Sequence, residues 1–327
     1  MSTRRIGQFE VFPIGLGCMN LSHAYGHPPA PEAARHVLHR ALDLGVTHFD
    51  CAALYGFGRN ETLLGEVLPP CRARIHLASK CGMTGVDGKR VIDGRPATLK
   101  ATLEESLRRL RTDVIDLYYL HRWDKRVPLE DSVGTLADMV LDGKVRAIGL
   151  SEVSAATLRR AHAVHPIAAV QSEYSLWTRN AEVAVLDECR RIGTAYVAFS
   201  PLGRGFFAGS VAEPASLAEG DLRRSLPRFQ PPHWDRNAAL LPAYRALADE
   251  AGCTPAQLAL AWLLHKAPHI VPIPGTTSID HLEQNVRAAE VRLSPNVMAR
   301  LEALVNPGTV SGARYPQATQ QEIDTEQ

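Results

Sequence analysis

Hydrophobic and polar positions along the chain alternate between two patterns. Short runs rich in β-branched, aliphatic or aromatic residues recur near 14–18, 48–52, 75–81, 114–121, 145–151, 168–174, 195–200 and 270–274. Their length and composition predict strands, and each is followed by a stretch with helical spacing. Between Pro31 and Gly45, residues Ala34, Val37, Leu38, Ala41 and Leu42 fall at i, i+3, i+4, i+7 and i+8, with Pro near the start and Gly at the end. Leu99, Leu103, Leu107 and Leu110 make a similar stripe. Thr254-Pro255-Ala256-Gln257 carries the residues of a capping box with Pro at the first helical position. The run from Leu258 to Leu264 is apolar on all faces and predicts a buried helix. Ser294-Pro295 opens a last helix outside these repeats.

Strand followed by helix, eight times over, predicts an α/β fold with a parallel sheet covered by helices. Eight repeats favour closure into a (β/α)8 TIM barrel over an open doubly wound sheet. Gly15-Leu16-Gly17-Cys18-Met19-Asn20 also lacks the third glycine that the phosphate turn of an open sheet uses. No linker or low-complexity tract divides the chain, so 1–327 is read as a single domain. Its additions are a carboxy-terminal helix, an irregular tail over 307–327 and a long loop after the seventh strand. That loop, between Gly203 and Asn237, lacks periodicity but is rich in Pro and aromatic residues around Pro227 to Trp234. Such a loop suits a cover over a site better than disorder.

Charge narrows the function classes. With 36 Lys+Arg against 35 Asp+Glu there is no basic surplus for nucleic acid or anionic membrane. The start of the chain has no run of signal-peptide length, and nowhere do about 18 uncharged apolar residues occur in a row. A cytoplasmic protein without membrane or nucleic-acid partners is expected. The six cysteines form no CxxC and no metal-ligand spacing, and Cys51 and Cys81 are read as packing residues turned away from their neighbours by strand alternation.

Three ionisable residues close three successive apolar strands. Asp50 ends His48-Phe49-Asp50, Lys80 ends the run from Ile75, and His121 ends the run from Ile115, while Tyr55 lies in the loop just after Asp50. Each is costly to bury unless paired, so a shared polar cluster at the carboxyl end of the barrel is expected.

At these residues the chain resembles the aldo-keto reductase superfamily over almost its whole length. The matching segments are Gly15-Leu16-Gly17-Cys18-Met19, Asp50 through Gly56 with Gly58 through Gly65, Ser79-Lys80, Asp116 through His121, Gly149-Leu150-Ser151, Gln171 through Tyr174, Ser200 through Gly205, and Ile273 through Thr276. Cys18-Met19 and Pro201-Leu202-Gly203-Arg204-Gly205 look most like the bacterial and plant auxin-induced, perakine-reductase-like branch.

The resemblance implies an NAD(P)H-dependent enzyme that reduces an aldehyde or ketone, as a monomer or weak homo-oligomer. Tyr55 would donate the proton, Lys80 would lower its pKa, Asp50 would hold Lys80, and His121 would orient the carbonyl oxygen. Ser151 and Gln171 would hold the nicotinamide carboxamide, with Phe199 stacked on the ring and Met19 nearby. Ser200, Leu202, Gly203, Arg204 and Gly205 would follow the pyrophosphate, with Arg204 supplying charge. Gly275, Thr276 and Thr277, with His281, Gln284 and Asn285 on the helix beyond, would hold the adenosine side. Met19, Tyr25 and Trp123 are candidate pocket residues, favouring a hydrophobic carbonyl substrate.

The chain departs from the family's pattern in two places. Glu152 stands where Asn is usual after Ser151, and an ionised carboxylate cannot donate a hydrogen bond there. Thr277, Ser278 and His281 stand where NADP-specific members carry Arg or Lys, so NADP(H) is expected with NAD(H) possible. Two other functions compete: a Schiff-base lyase or aldolase using Lys80, and a cofactor-binding regulatory subunit of the potassium-channel β type.

Overall fold

Eight parallel strands, each hydrogen-bonded to the next in chain order, make the central sheet. They are Leu16–Gly17, His48–Asp50, His76–Cys81, Leu117–Leu120, Ile148–Ser151, Ile167–Glu173, Ala195–Phe199 and Ile270–Pro272. The amide of Gly15 donates to Pro272 O at 3.0 Å and that of Gly17 to Pro274 O at 3.1 Å, which joins the first strand to the last and closes the barrel. The structure is a computed structural model that describes residues 3–209 and 213–326. All eight predicted strands are present, and the chain is a (β/α)8 barrel.

The helices form where their spacing and caps direct. Pro31–Asp43 buries Ala34, Val37, Leu38 and Ala41, and Gly45 at φ +81° turns the chain out of it. Pro255–Lys266 starts in the predicted capping box and buries Leu258 through Leu263 between the barrel and the outer helices. The helix predicted to start at Ser294-Pro295 is Pro295–Leu304, capped by the Ser294 hydroxyl, which accepts from Val297 N.

Strand alternation decides the interior. Ala78, Leu117, Tyr119, Ala169, Ala195, Val197 and Val271 point inward and pack with Ile6, Phe9 and Val11 of an amino-terminal hairpin, Arg4–Ile6 with Phe9–Val11. That hairpin plugs the amino end of the barrel and leaves the carboxyl end open.

Two features differ from expectation. A second hairpin, Met83–Val86 with Lys89–Ile92, rises after the third strand, carried by Asp87 at φ +49° and Gly88 at φ +73°. The tail is not irregular throughout: Gln317–Gln320 is a short helix, and Asp324 pairs with Val153 as a parallel bridge. Asp324 also accepts from Ser154 Oγ and Thr157 Oγ1, tying the tail to the barrel.

His48, inward and below Asp50, is buried with neither ring nitrogen hydrogen-bonded. Burial pushes its imidazole from 6.5 down to about 4, against a smaller opposing pull from Asp50. The folded chain therefore keeps His48 neutral while the unfolded chain takes up a proton. Its contribution to stability is full above about pH 6.5 and is lost as pH falls toward about 4. The expected loss is on the order of 3 kcal/mol. Urea unfolding of wild type and His48→Leu across that window checks this. Equal pH slopes in the two would assign the acid sensitivity to another group.

Candidate active site

The inward side chains that come last on their strands, at the open end, are polar apart from Phe199. Asp50 follows His48, Lys80 follows Ala78, His121 follows Tyr119, Gln171 follows Ala169 and Phe199 follows Val197, each two residues on and hence on the same face. The alternation that fills the barrel with apolar groups thus ends in a mainly polar ring.

Lys80 is wholly buried and its ammonium forms an ion pair with Asp50 Oδ1. It also donates to Cys51 O at 2.9 Å and to the Tyr55 hydroxyl at 3.3 Å. Gln171 Nε2 donates to the other Asp50 oxygen at 2.7 Å. The ring of His121 meets that of Tyr55 edge-on, 5.8 Å between centroids. Tyr55 is presented by a tight turn, Tyr55–Gly58, in which Gly56 (φ +58°), Phe57 (φ +54°) and Gly58 (φ +89°) are all left-handed. A Cβ on Gly56 would lie 3.0 Å from Ser22 O, so glycine is needed there for the close approach as well. Asn60 Nδ2 braces the turn by donating to Cys18 O (2.8 Å) and Ser22 Oγ (3.0 Å).

Electrostatics separate the roles. Burial opposes the charge on Lys80, but Asp50 beside it holds the ammonium above its ordinary value. Burial raises the Tyr55 phenol, and the Lys80 charge acts against that rise without reversing it. The expectation of a lowered tyrosine pKa is corrected here: a sealed ring loses more to desolvation than one ammonium returns. Burial, then the charges of Arg122 and Lys80, hold His121 neutral. Cys51 and Cys81 are buried, directed at Ala78 O and Tyr119 O, as packing residues would be.

A cavity of about 790 Å³ opens above this cluster. It is lined by Asp50, Tyr55 and His121 and by the predicted Met19, Tyr25, Ser151, Gln171, Phe199, Ser200, Leu202, Arg204, Gly205, Gly275, Thr276, Thr277, His281, Gln284 and Asn285. Lys80 lies sealed beneath it. Asn20, His23, Met83, Arg90, Arg122 and Tyr315 also line it and were missed. Met83 and Arg90 belong to the second hairpin, which Asp87-Gly88 between two β-rich runs could have signalled. The loop after the seventh strand covers the cavity with Gly220, Leu222, Arg223 and Leu226. Its residues 210–212 lie outside the described residues.

Two expected pocket residues, Trp123 and Gly203, do not line the cavity, and Arg204 lines it with its charge already paired. Trp123 is not in the lining: its indole donates to Val127 O at 3.0 Å and Arg160 lies over its ring at 5.5 Å, holding it on the outer face of the loop. Gly203 packs under the lining, where an added Cβ would meet Phe207 and Trp177. Arg204 faces the cavity, but its charge is paired: Nη2 donates to Glu173 Oε2 at 2.7 Å and to the Tyr315 hydroxyl at 3.1 Å.

Glu152 turns away from the cavity altogether. At φ +59° its carboxylate ion-pairs with Arg314, which also contacts Glu173. Burial alone would raise Glu173, but Arg204, Arg314 and Arg228 together bring it down to about 2. This buried group of acids and guanidinium groups locks the carboxy-terminal segment, with Tyr315, against the barrel mouth.

The residues fit a nicotinamide dinucleotide. Gln171 gives one amide N–H to Asp50 and keeps its oxygen as an acceptor, and the Ser151 hydroxyl and half-buried Phe199 line the same cavity. At the far arm Ser278 Oγ is engaged by His281 N at 3.3 Å, leaving Thr276, Thr277 and the His281 ring in the lining.

A closed eight-stranded barrel with a lysine–carboxylate pair under a tyrosine at its carboxyl end defines a class of oxidoreductase. Residues 13–306 match the Aldo/keto reductase family. Among solved structures, the chain is similar to the glycerol dehydrogenase AKR11B4 from Gluconobacter oxydans, at 26% identity and a TM-score of 0.85 over 96% of this chain and 98% of that one. It is also similar to the aldo-keto reductase AKR11C1 from Bacillus halodurans in its holo form, at 26% identity and a TM-score of 0.78 over 97% and 99%. An aldo/keto reductase from Klebsiella pneumoniae in complex with NADP and acetate matches at 28% identity and a TM-score of 0.74 over 96% and 98%. The chain belongs to the aldo/keto reductase family and is an NAD(P)H-dependent oxidoreductase. No helix among the described residues is long and apolar enough to cross a membrane.

Proposed function

We propose that this chain reduces an aldehyde or ketone, with Tyr55 donating the proton to the carbonyl oxygen. The observation that carries the reading is the Tyr55 hydroxyl, 3.3 Å from Lys80 Nζ and facing the cavity, while Lys80 is sealed beneath it by Asp50 and Cys51 O. A bound nicotinamide supplies the hydride. The chain's own residues do the rest. Neutral His121 has one ring N–H to offer the carbonyl oxygen, which orients it toward the tyrosine hydroxyl. As negative charge grows on that oxygen, the Lys80 ammonium stabilises the tyrosinate left after proton transfer. Gln171 fixes Asp50, and Asp50 fixes Lys80. A lyase that attacks through Lys80 is disfavoured, because the amine has no access to the cavity and a paired carboxylate keeps it protonated.

NADPH oxidation assayed against panels of aldehydes, ketones and quinones tests the reading. No turnover with any carbonyl, despite tight cofactor binding, would reject it. For the cofactor's 2′-phosphate, Thr276, Thr277 and His281 are the proposed partners. His281→Ala is expected to weaken NADPH binding several-fold, about 1 kcal/mol, and to leave NADH nearly unchanged, read by cofactor fluorescence. An unchanged NADPH-to-NADH ratio would remove His281 from the phosphate site.

A further inference from the structure

Among the described residues four guanidinium groups line the cavity, and three have carboxylate partners: Arg90 with Glu322, Arg204 with Glu173 and Arg223 with Asp221. Arg122 has none among the described residues. It is only 8% exposed, and its Nη1 donates to His121 O at 2.6 Å and to Ser151 Oγ at 3.2 Å. Its Nε is buried with no hydrogen-bond partner. A buried cation with unspent donors, adjoining the cavity and uncompensated by an acid, is costly unless a ligand completes it.

The surroundings say what kind of ligand atom that is. Ser151 Oγ already accepts from Arg122, and Gln171 offers its amide oxygen to the NH2 group of an incoming carboxamide. Its oxygen needs a strong donor. The next residue, Glu152, provides none: it is acidic, turned away and committed to Arg314. Arg122, held on Ser151 itself, is the donor in the right place.

We propose that Arg122 is a cofactor-positioning residue whose guanidinium donates to the carboxamide oxygen of the nicotinamide, fixing the face of the ring presented to the substrate. This rests on the reductase reading above. It assigns to Arg122, from the loop after the fourth strand, the work that Glu152 cannot do.

The test compares two nucleotides by equilibrium binding: NADPH, and 2′-phospho-ADP-ribose, which keeps every part of the cofactor except the nicotinamide. Arg122→Met is expected to weaken NADPH binding roughly tenfold or more, as loss of a charge-assisted hydrogen bond does. Binding of 2′-phospho-ADP-ribose should stay as in wild type, which also shows that the variant is folded. Arg122→Lys, which keeps the charge with fewer donors, should give an intermediate loss confined to NADPH, and it serves as the reading if the Met variant does not fold. Equal losses with both nucleotides, or NADPH affinity unchanged in both variants, would overturn the assignment. So would unchanged NADPH affinity with a raised KM for an anionic carbonyl compound over its neutral isostere, which would place Arg122 on the substrate. A wild-type chain that bound neither nucleotide would overturn the reductase reading itself.

Discussion

Tyr55→Phe is expected to lower kcat for carbonyl reduction by about 10²–10⁴-fold while leaving NADPH affinity nearly unchanged. The substitution removes one oxygen from a ring that stays packed against His121 and Lys80, so the cavity keeps its shape and loses only the proposed proton donor. Single-turnover measurements with bound cofactor would show the loss in the chemical step. The pH profile supplies an independent check. Because burial raises the phenol pKa and Lys80 only moderates the rise, Tyr55 stays protonated through the neutral range. Reduction should therefore be flat there and fall only on the alkaline side, where the acid form is lost. A Phe variant that kept more than about a tenth of wild-type kcat would take the acid role away from Tyr55.

Lys80→Met is expected to be nearly as damaging, and Asp50→Asn somewhat less so, with the double variant far from the product of the two. Lys80, Asp50 and Gln171 act as one unit on the Tyr55 hydroxyl. Once Lys80 is gone, Asp50 has nothing left to hold, and its replacement should cost little more. Asp50→Asn alone leaves a wholly buried ammonium without its counter-charge, which typically destabilises a fold by about 3–5 kcal/mol. Thermal unfolding must accompany the kinetics so that lost folding is not read as lost catalysis. If the single-variant losses multiplied in the double variant, the two residues would be acting independently and the ion-pair account would be wrong.

Much of this site is local information, and local information is legible in a sequence. Period-two alternation placed Asp50, Lys80 and His121 at strand ends on one face, because the face a side chain takes follows from its position in its own strand. Helix caps at Thr254 and Ser294, the helix stripe after Pro31 and the eight-fold strand–helix repeat are likewise settled within a few residues of chain, and from the repeat the closed barrel follows. Part of the cavity lining followed in turn, since residues just past strand ends gather at one mouth.

What only the tertiary structure decided are the pairings between distant segments and the balance of opposed forces. Arg314 reaches Glu152 across 162 residues of chain and turns it away from the cavity, leaving Arg122 beside Ser151 without an acid. Trp123 sits in the right loop yet is held on its outer side by Val127 and Arg160, a choice no spacing rule encodes. Arg204 stands in the segment expected to follow the pyrophosphate, and its charge is paired with Glu173, thirty-one residues away. The direction of the Tyr55 shift depends on how completely the folded chain excludes water from the ring, set against a single neighbouring ammonium. A sequence shows which groups carry charge. How many neighbours strip each group of solvent, and which opposite charge reaches it first, are properties of the closed barrel alone.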